Sequence, residues 1–233
     1  MIFSHRPLTS WSRYLTSPFA LLLWILLIWG GNFALRGYWE PDEARFVYVA
    51  HEMVGSGDWL VPHRHGLPYA HKPPLMFWLI NLGETIFPEP FGSRLPSLIG
   101  LLLSLWAVTG IGTLWRDRAT GIRAALVLTS AWLFWSTCGL GQIDGLLTGL
   151  ELSAVYLLLH HEHYEGERMP WAAFILMGLA VLAKGPVGLL IPLGVYLAIR
   201  FSSQTEPHIG LVRILIGLVI AIAIPVTWVI ACW

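Results

Sequence analysis

PFALLLWILLIWGGNFAL at residues 18–35, followed at once by RGYWEPDEAR at residues 36–45, decides the class of this molecule. The first run carries no charged side chain and is continuous rather than alternating. About 20 apolar residues in a row cross a bilayer as a helix, whereas a membrane strand shows about ten residues of period-two alternation. Arg6 and Arg13 precede the run, which is longer than a signal-peptide core and lacks a small-x-small cleavage site. It therefore reads as an uncleaved first span. Its sequel sets Asp42 and Glu43, directly after Pro41, just outside that span, and charge placed there needs a purpose.

The remainder of the chain repeats the pattern. Of 233 residues, 56% are hydrophobic and 12% charged, far from a soluble average. The formal net charge is zero, which offers neither a nucleic-acid footprint nor a polybasic membrane-binding surface. Further apolar runs cover about 97–115, 124–140, 146–159, 171–183, 187–199 and 211–233. The expected fold is an all-α, polytopic transmembrane helix bundle forming a single domain over 1–233. Segment 36–96 is polar, aromatic and proline-containing, too charged to cross lipid and too long for a turn. It reads as an ordered first loop containing amphipathic juxtamembrane helices. Within it, Phe46, Val49, Ala50, Met53 and Val54 recur at helical spacing, with Pro41 at the start and Gly55 and Gly57 at the end. That helix is expected to lie on the membrane surface, apolar face down.

The basic residues set an orientation. With a cytoplasmic N-terminus, the inside collects Arg6, Arg13, Arg116, Arg118, Arg123, Arg168, Arg200 and Arg213, and the short outside loops hold only Lys184. The first large loop then faces a periplasm or equivalent lumen, from a multi-pass protein of the plasma (bacterial inner) membrane. Runs 171–183 and 187–199 are each short for a crossing and are separated by Lys184-Gly185-Pro186, which suits a helical hairpin whose tip stops in the outer part of the membrane. The last run ends at Trp233 without a polar flank, as expected of a portion of a longer protein or of a half that works with a partner. Cys138 and Cys232 lie in apolar runs far apart and read as small hydrophobes.

Four places carry chemistry. Asp42 and Glu43 could serve only to complement a helix dipole, worth about 0.3–1 kcal/mol, or one carboxylate could act as a general base at the boundary of membrane and water. Adjacent helical residues point about 100° apart, so the two acids are expected to have different tasks. In Gly66-Leu67-Pro68-Tyr69-Ala70-His71-Lys72-Pro73-Pro74 the paired prolines stiffen an extended backbone that would aim His71 and Lys72. A lysine held this way is a point charge suited to phosphate, although a solvated cation is the plainer reading. His63, His65 and His71 with the two acids could also be assembled into a metal site, at a spacing that matches no zinc pattern. Asp144 stands at the outer junction of two spans, with Thr148 and Glu151 on its face, and intramembrane acids point to the bundle interior or a cavity. Lys184 lies at the tip of the short hairpin. All four places fall on one side, which suits a substrate with a phosphate head and a lipid tail. A transporter or channel would use intramembrane acids and a broken hairpin equally well, but has no need of the large first loop. A non-catalytic partner subunit of a split enzyme is the third reading.

Several motifs in order resemble one family. They are Tyr38-Trp39-Glu40-Pro41-Asp42-Glu43-Ala44-Arg45-Phe46, Glu52-Met53, Ser56-Gly57-Asp58-Trp59-Leu60-Val61-Pro62, Gly66-Leu67-Pro68-Tyr69, Lys72-Pro73-Pro74-Leu75, Ser93-Arg94-Leu95-Pro96, Asp144 and Ala183-Lys184-Gly185-Pro186-Val187-Gly188. The family is that of the protein O-mannosyltransferases and lipid A aminoarabinose transferases, and the likeness is nearest to its bacterial, aminoarabinose-transferase-like branch. The resemblance implies a type-C glycosyltransferase fold and transfer of a sugar, with inversion, from a polyprenyl-phosphate carrier to a lipid, protein or other envelope acceptor. It also implies Asp42 as the catalytic carboxylate, Glu43 as its neighbour in the acidic pair, Lys72 on the lipid phosphate, and Asp144 and Lys184 lining the same cavity. The residue before Lys72 is often glutamate in that family and is His71 here, which leaves any divalent cation at that position open. No cofactor is required, and neither a GxxxxGK loop nor a GxGxxG turn occurs.

Overall fold

The computed structural model describes residues 17–39, 41–164, 168–202 and 209–233. Arg6, Arg13 and Glu40 lie outside the described residues. Helix α1 (Pro18–Ala34) begins where Ser17 accepts the Ala20 N–H at 3.1 Å and proline occupies the first turn, where its missing donor is harmless. The extramembrane segment supplies α2 (Asp42–Ser56), a two-residue hairpin of β1 (His63–Arg64) and β2 (Leu67–Pro68), and α3 (Leu75–Ile86). A 3₁₀ turn at Gly92–Arg94 leads into α4 (Leu95–Trp115), then α5 (Arg118–Ser130), α6 (Trp132–Gly139), α7 (Ile143–Tyr164), α8 (Trp171–Lys184), α9 (Val187–Ser202) and α10 (Leu211–Ala231). The expected all-α bundle is therefore present, with the antiparallel His63↔Pro68 pairing as its one strand ladder among the described residues.

By length and composition, α4 with its preceding turn, α7 and α10 suit a full crossing, and α1, α3, α8 and α9 are shorter apolar helices. The α8–α9 hairpin has the expected short arms: 14 and 16 residues, or about 21 and 24 Å against about 30 Å of hydrocarbon. Run 124–140 is two helices, α5 and α6, because Ala131 is extended at φ −73 and ψ 123. The Thr129 and Ser130 hydroxyls bond back to the Ala125 and Leu126 carbonyls at 2.9 and 2.7 Å, a competition that bends or ends helices. Apolar residues on both sides of the break make it invisible to hydropathy.

Helix α4 packs on α7 more extensively than any other pair of described helices do. The approach is close because Gly145 and Gly149, one turn apart on α7, face Gly100. A Cβ on Gly149 would lie 2.5 Å from the Gly100 carbonyl oxygen, and one on Gly100 would lie 2.2 Å from that of Gly145. Small residues at this spacing let membrane helices touch backbone to backbone, where dispersion contacts rather than water exclusion hold them.

Three buried clusters fill the bundle. Trp29, Phe33, Leu101, Leu105, Phe134 and Cys138 join α1, α4 and α6, and Cys138 is indeed a buried small hydrophobe. Phe174, Met177, Tyr196 and Ile214 join α8, α9 and α10. The third cluster lies at the end of the bundle that carries segment 36–96. It combines Phe46, Val49, Ala50 and Met53 of α2 with Tyr69, Phe77 and Ile80, Ile143, Leu146 and Leu150 of α7, and Ala183 of α8. Full burial of side chains such as Phe46, Met53 and Phe77 stabilises the fold by about 1.5–3 kcal/mol each. The apolar face of α2 thus packs on protein, and of the five residues read from its periodicity only Val54 is exposed. Amphipathic spacing specifies a buried face without naming lipid or protein as its cover.

Candidate active site at the loop end of the bundle

Helix α2 starts beside α1 and presents its first turn at this end. Pro41 is its N-cap, with no side-chain capping bond, and Gly57 in the left-handed region at φ 73 closes it. The two acids of the first turn have opposite surroundings, as their angular separation requires. Asp42 is 38% exposed and pairs with Arg45 one turn later. The Glu43 side chain is 3% exposed. Its Oε1 accepts from Arg94 Nε at 2.6 Å, and its Oε2 accepts from Arg36 Nη1 at 2.9 Å and from the Trp39 N–H at 2.6 Å. Arg94, itself fully buried, donates onward to the Phe33 and Gly37 carbonyls at 2.9 and 2.8 Å, and Arg36 reaches the Gly139 carbonyl at 3.0 Å. One carboxylate therefore ties together the end of α1, the start of α2, the 3₁₀ turn and the end of α6.

Gly141 completes this knot. Its φ is +66, and a Cβ there would lie 2.7 Å from Glu43 Cγ. The turn that delivers Asp144 to α7 thus sits directly against the side chain following Asp42. Asp144, in the first turn of α7, forms an ion pair with Lys184 in the last turn of α8, each charge placed favourably for its helix dipole. Two turns below Asp144, Glu151 Oε1 is buried without a hydrogen-bond partner among the described residues. Phe46, Tyr69, Ile143 and Ala183, which stand within a few residues of Asp42, Lys72, Asp144 and Lys184 in sequence, belong to one buried cluster.

Lys72 makes no hydrogen bond or ion pair among the described residues. It lines a largely apolar groove of about 350 Å³ with Tyr69, Pro73, Trp228 and Cys232. The α10 end of this groove is fixed where Trp228 Nε1 donates to the Leu60 carbonyl at 2.9 Å. Pro73-Pro74 does not prolong an extended strand: Pro74 is the N-cap of α3, at φ −81 and ψ −15. His71 is exposed, its ring edge-on to Tyr69 at 5.2 Å.

The histidines that the sequence offers as metal ligands are dispersed. His65 lies against Tyr48, with ring centroids 4.9 Å apart, and His63 lies 3.8 Å from Asp58. Asp58 accepts the Val61 and Leu60 N–H groups, each at 3.0 Å, and these bonds hold its carboxyl below the usual range. Sequence reasoning missed the arginine clamp, although Arg94 stands inside one of the family-like motifs. It also missed His51, Glu84 and Glu89, which converge from three elements with no local sequence pattern.

Known proteins share this architecture. Two solved structures of ArnT from Cupriavidus metallidurans superpose on the chain, the apo state at TM-score 0.75 over 96% of this chain and 42% of that one, at 24% identity. The form bound to undecaprenyl phosphate superposes at TM-score 0.70 over 91% and 40%, at 23% identity. The expected type-C glycosyltransferase-like membrane fold is the fold these structures share with the chain. An undecaprenyl phosphate-alpha-4-amino-4-deoxy-L-arabinose arabinosyl transferase 2 of Pseudomonas fluorescens is 31% identical over 219 residues, 89% of this chain and 37% of that protein. The arabinosyl transferase of Pseudomonas aeruginosa strain UCBPP-PA14 is 35% identical over 182 residues, 72% of this chain and 33% of that protein. The chain thus spans little more than a third of the curated relatives it matches. The family model described as dolichyl-phosphate-mannose-protein mannosyltransferase matches residues 71–230, a segment that starts after Asp42 and Glu43 and holds Lys72, Asp144 and Lys184. The chain is an integral membrane protein and belongs to the dolichyl-phosphate-mannose-protein mannosyltransferase family.

Proposed function

We propose that this chain is the catalytic-face portion of a membrane glycosyltransferase that moves a sugar from a polyprenyl-phosphate carrier to an envelope acceptor, lipid A or protein. The carrying observation is the division of labour in the acid pair. Glu43 is fully engaged by two arginines and a backbone N–H, whereas Asp42, the preceding residue, keeps a solvent-accessible carboxylate held, among the described residues, only by Arg45. A general base has to reach its substrate's proton, and a side chain fixed by its neighbour's network meets that need without mobility of the helix.

In the reaction, the acceptor oxygen attacks the anomeric carbon as the bond to the phosphate oxygen breaks, inverting that centre. The acceptor proton passes to Asp42, and the phosphate leaves on the lipid with the bonding electrons. Lys72, beside an apolar groove that suits a prenyl tail, stabilises the developing phosphate charge. Lys184 is kept in place by Asp144, and this pair, carried by α8 and α7, is assigned to the same substrate region. Glu43 supports Asp42 and does not touch the reacting atoms. His71 borders the phosphate region. The favoured topology has a cytoplasmic N-terminus in the bacterial inner membrane, with segment 36–96 in the periplasm, where such lipid-linked sugars are used. The arabinosyl transferase relatives, and the ArnT form bound to undecaprenyl phosphate, support aminoarabinose as the sugar class and undecaprenyl phosphate as the carrier. Asp42→Asn in the full-length protein is expected to abolish transfer from labelled polyprenyl-phosphate sugar while membrane insertion and carrier binding persist. Normal turnover by that variant would sink the assignment.

A further inference from the structure

We infer that His51, Glu84 and Glu89 form a divalent-metal site, suited by its ligands to zinc, at the loop end of the bundle and apart from Asp42. His51 projects from α2, Glu84 from α3, and Glu89 from the loop that follows α3. One ligand atom from each lies within 4.8 Å of the others, the one such convergence among the described residues. His51 Nε2 is 2.8 Å from Glu84 Oε2 and 3.6 Å from Glu89 Oε1. A tetrahedral ion with ligand distances of about 2.1 Å separates its ligands by about 3.4 Å, so only small movements would close the set around a cation.

The outward oxygens are already committed. Tyr38 donates to Glu89 Oε2 at 2.6 Å and Ser93 donates to Glu84 Oε1 at 2.6 Å, while the Tyr38 and Ser93 hydroxyls lie 2.9 Å apart. Each carboxylate is thereby turned so that its remaining oxygen faces the imidazole. Such orienting contacts behind the ligands are what metal sites use to fix geometry. Two carboxylates this close repel each other. A protonated His51 offsets one of the two charges, and a divalent cation offsets both. One imidazole and two carboxylates suit zinc better than magnesium or calcium, whose sites are built from oxygen alone. Half-exposed His51 and Glu89 leave an entry path and a fourth position for water.

His51 lies nine residues after Asp42 on α2, about 13 Å along the axis, so an ion there is too far to act on the proposed transfer chemistry. Its effect would be to staple α2 to α3 and to the loop before the 3₁₀ turn that carries Arg94, fixing the helix that presents Asp42. The inference does not depend on the transferase reading.

The test uses the full-length protein in detergent, stripped with chelator, then given zinc chloride alone. Elemental analysis and titration calorimetry should find one equivalent that Glu84→Gln and His51→Gln each remove while the proteins stay monodisperse. Tyr38→Phe, which leaves all three ligands in place, should weaken that equivalent by about 10–100-fold. Cobalt in place of zinc should give the absorption of a tetrahedral nitrogen–oxygen site, lost in Glu84→Gln. Zinc stoichiometry unchanged in both ligand variants, or a stripped protein that takes up no zinc, would overturn the proposal.

Discussion

Replacing Glu43 by glutamine should unfold this end of the molecule more readily, and the size of the effect can be worked from the clamp around it. The Glu43 side chain is 3% exposed and that of Arg94 is wholly buried. Glutamine keeps the shape but removes the charge, and its amide nitrogen must face a guanidinium or the Trp39 N–H, donor against donor. Breaking a buried pair by removing one partner costs about 3–5 kcal/mol, because the other charge remains in low dielectric. Asp42→Asn next door removes an i,i+3 pair whose members are 38% and 30% exposed, and such pairs are worth at most about 0.5 kcal/mol. At about 2–4 °C per kcal/mol, Glu43→Gln should lower the melting temperature of the detergent-solubilised full-length protein by about 6 °C or more. Asp42→Asn should stay within about 2 °C of wild type. Thiol-reactive dye melts would report both, and Arg94→Lys should resemble Glu43→Gln, since an ammonium cannot span Glu43, Phe33 and Gly37 as the guanidinium fork does. If Glu43→Gln melts with wild type, the reading of this carboxylate as a structural tie is refuted, and its burial must serve something else.

Three further outcomes are expected. Gly149→Leu drives a side chain into the Gly100 carbonyl oxygen, 2.5 Å from where a Cβ would sit, so overpacking should cost about 1–3 kcal/mol or more and reduce the monodisperse fraction in fluorescence-detected size exclusion. Lys72→Gln should leave the melting temperature unchanged within about 1 °C, because Lys72 holds no partner among the described residues, yet weaken binding of undecaprenyl phosphate measured by titration; unaltered binding would remove it from the proposed phosphate site. Asp144→Asn and Lys184→Met should each reduce transfer with little change in stability, since their pair is partly exposed. A double-mutant cycle that gives full additivity would show the pair to be uncoupled.

How much of this is legible in the sequence varies by physical cause. Continuous apolar runs mark the helices, because a bilayer demands length and internally satisfied backbone whatever the partners are. The same argument is blind at Ala131, where the break lies inside a run that stays apolar overall, and at α3, an apolar helix of only 12 residues inside a charged segment. Asp42, Glu43, Asp144 and Lys184 can be named because charge stands out against an apolar background. Their arrangement cannot, since it depends on which helices touch. The Gly100–Gly145 approach and the Arg94–Glu43 bond, fifty-one residues apart in sequence, are tertiary facts with no local periodicity.

That difference explains why the acid pair resists a local reading. In an isolated helix, Asp42 and Glu43 are equivalent first-turn acids, each worth a few tenths of a kcal/mol against the dipole. Packing makes them unequal: the α2 face carrying Phe46, Val47 and Ala50 turns inward, and Glu43, three, four and seven residues before them, turns with it. A carboxylate dragged into that environment must be matched by cations, and Arg36 and Arg94 supply them from outside the helix. Asp42 stays at the rim because its neighbour is committed inward. Exchanging the two residues, Asp42→Glu with Glu43→Asp, should therefore cost more than either single change. The shorter aspartate side chain at the second position would fall about 1.5 Å short of the arginines. If the exchanged protein melts and turns over like wild type, register on α2 is not what separates the two roles.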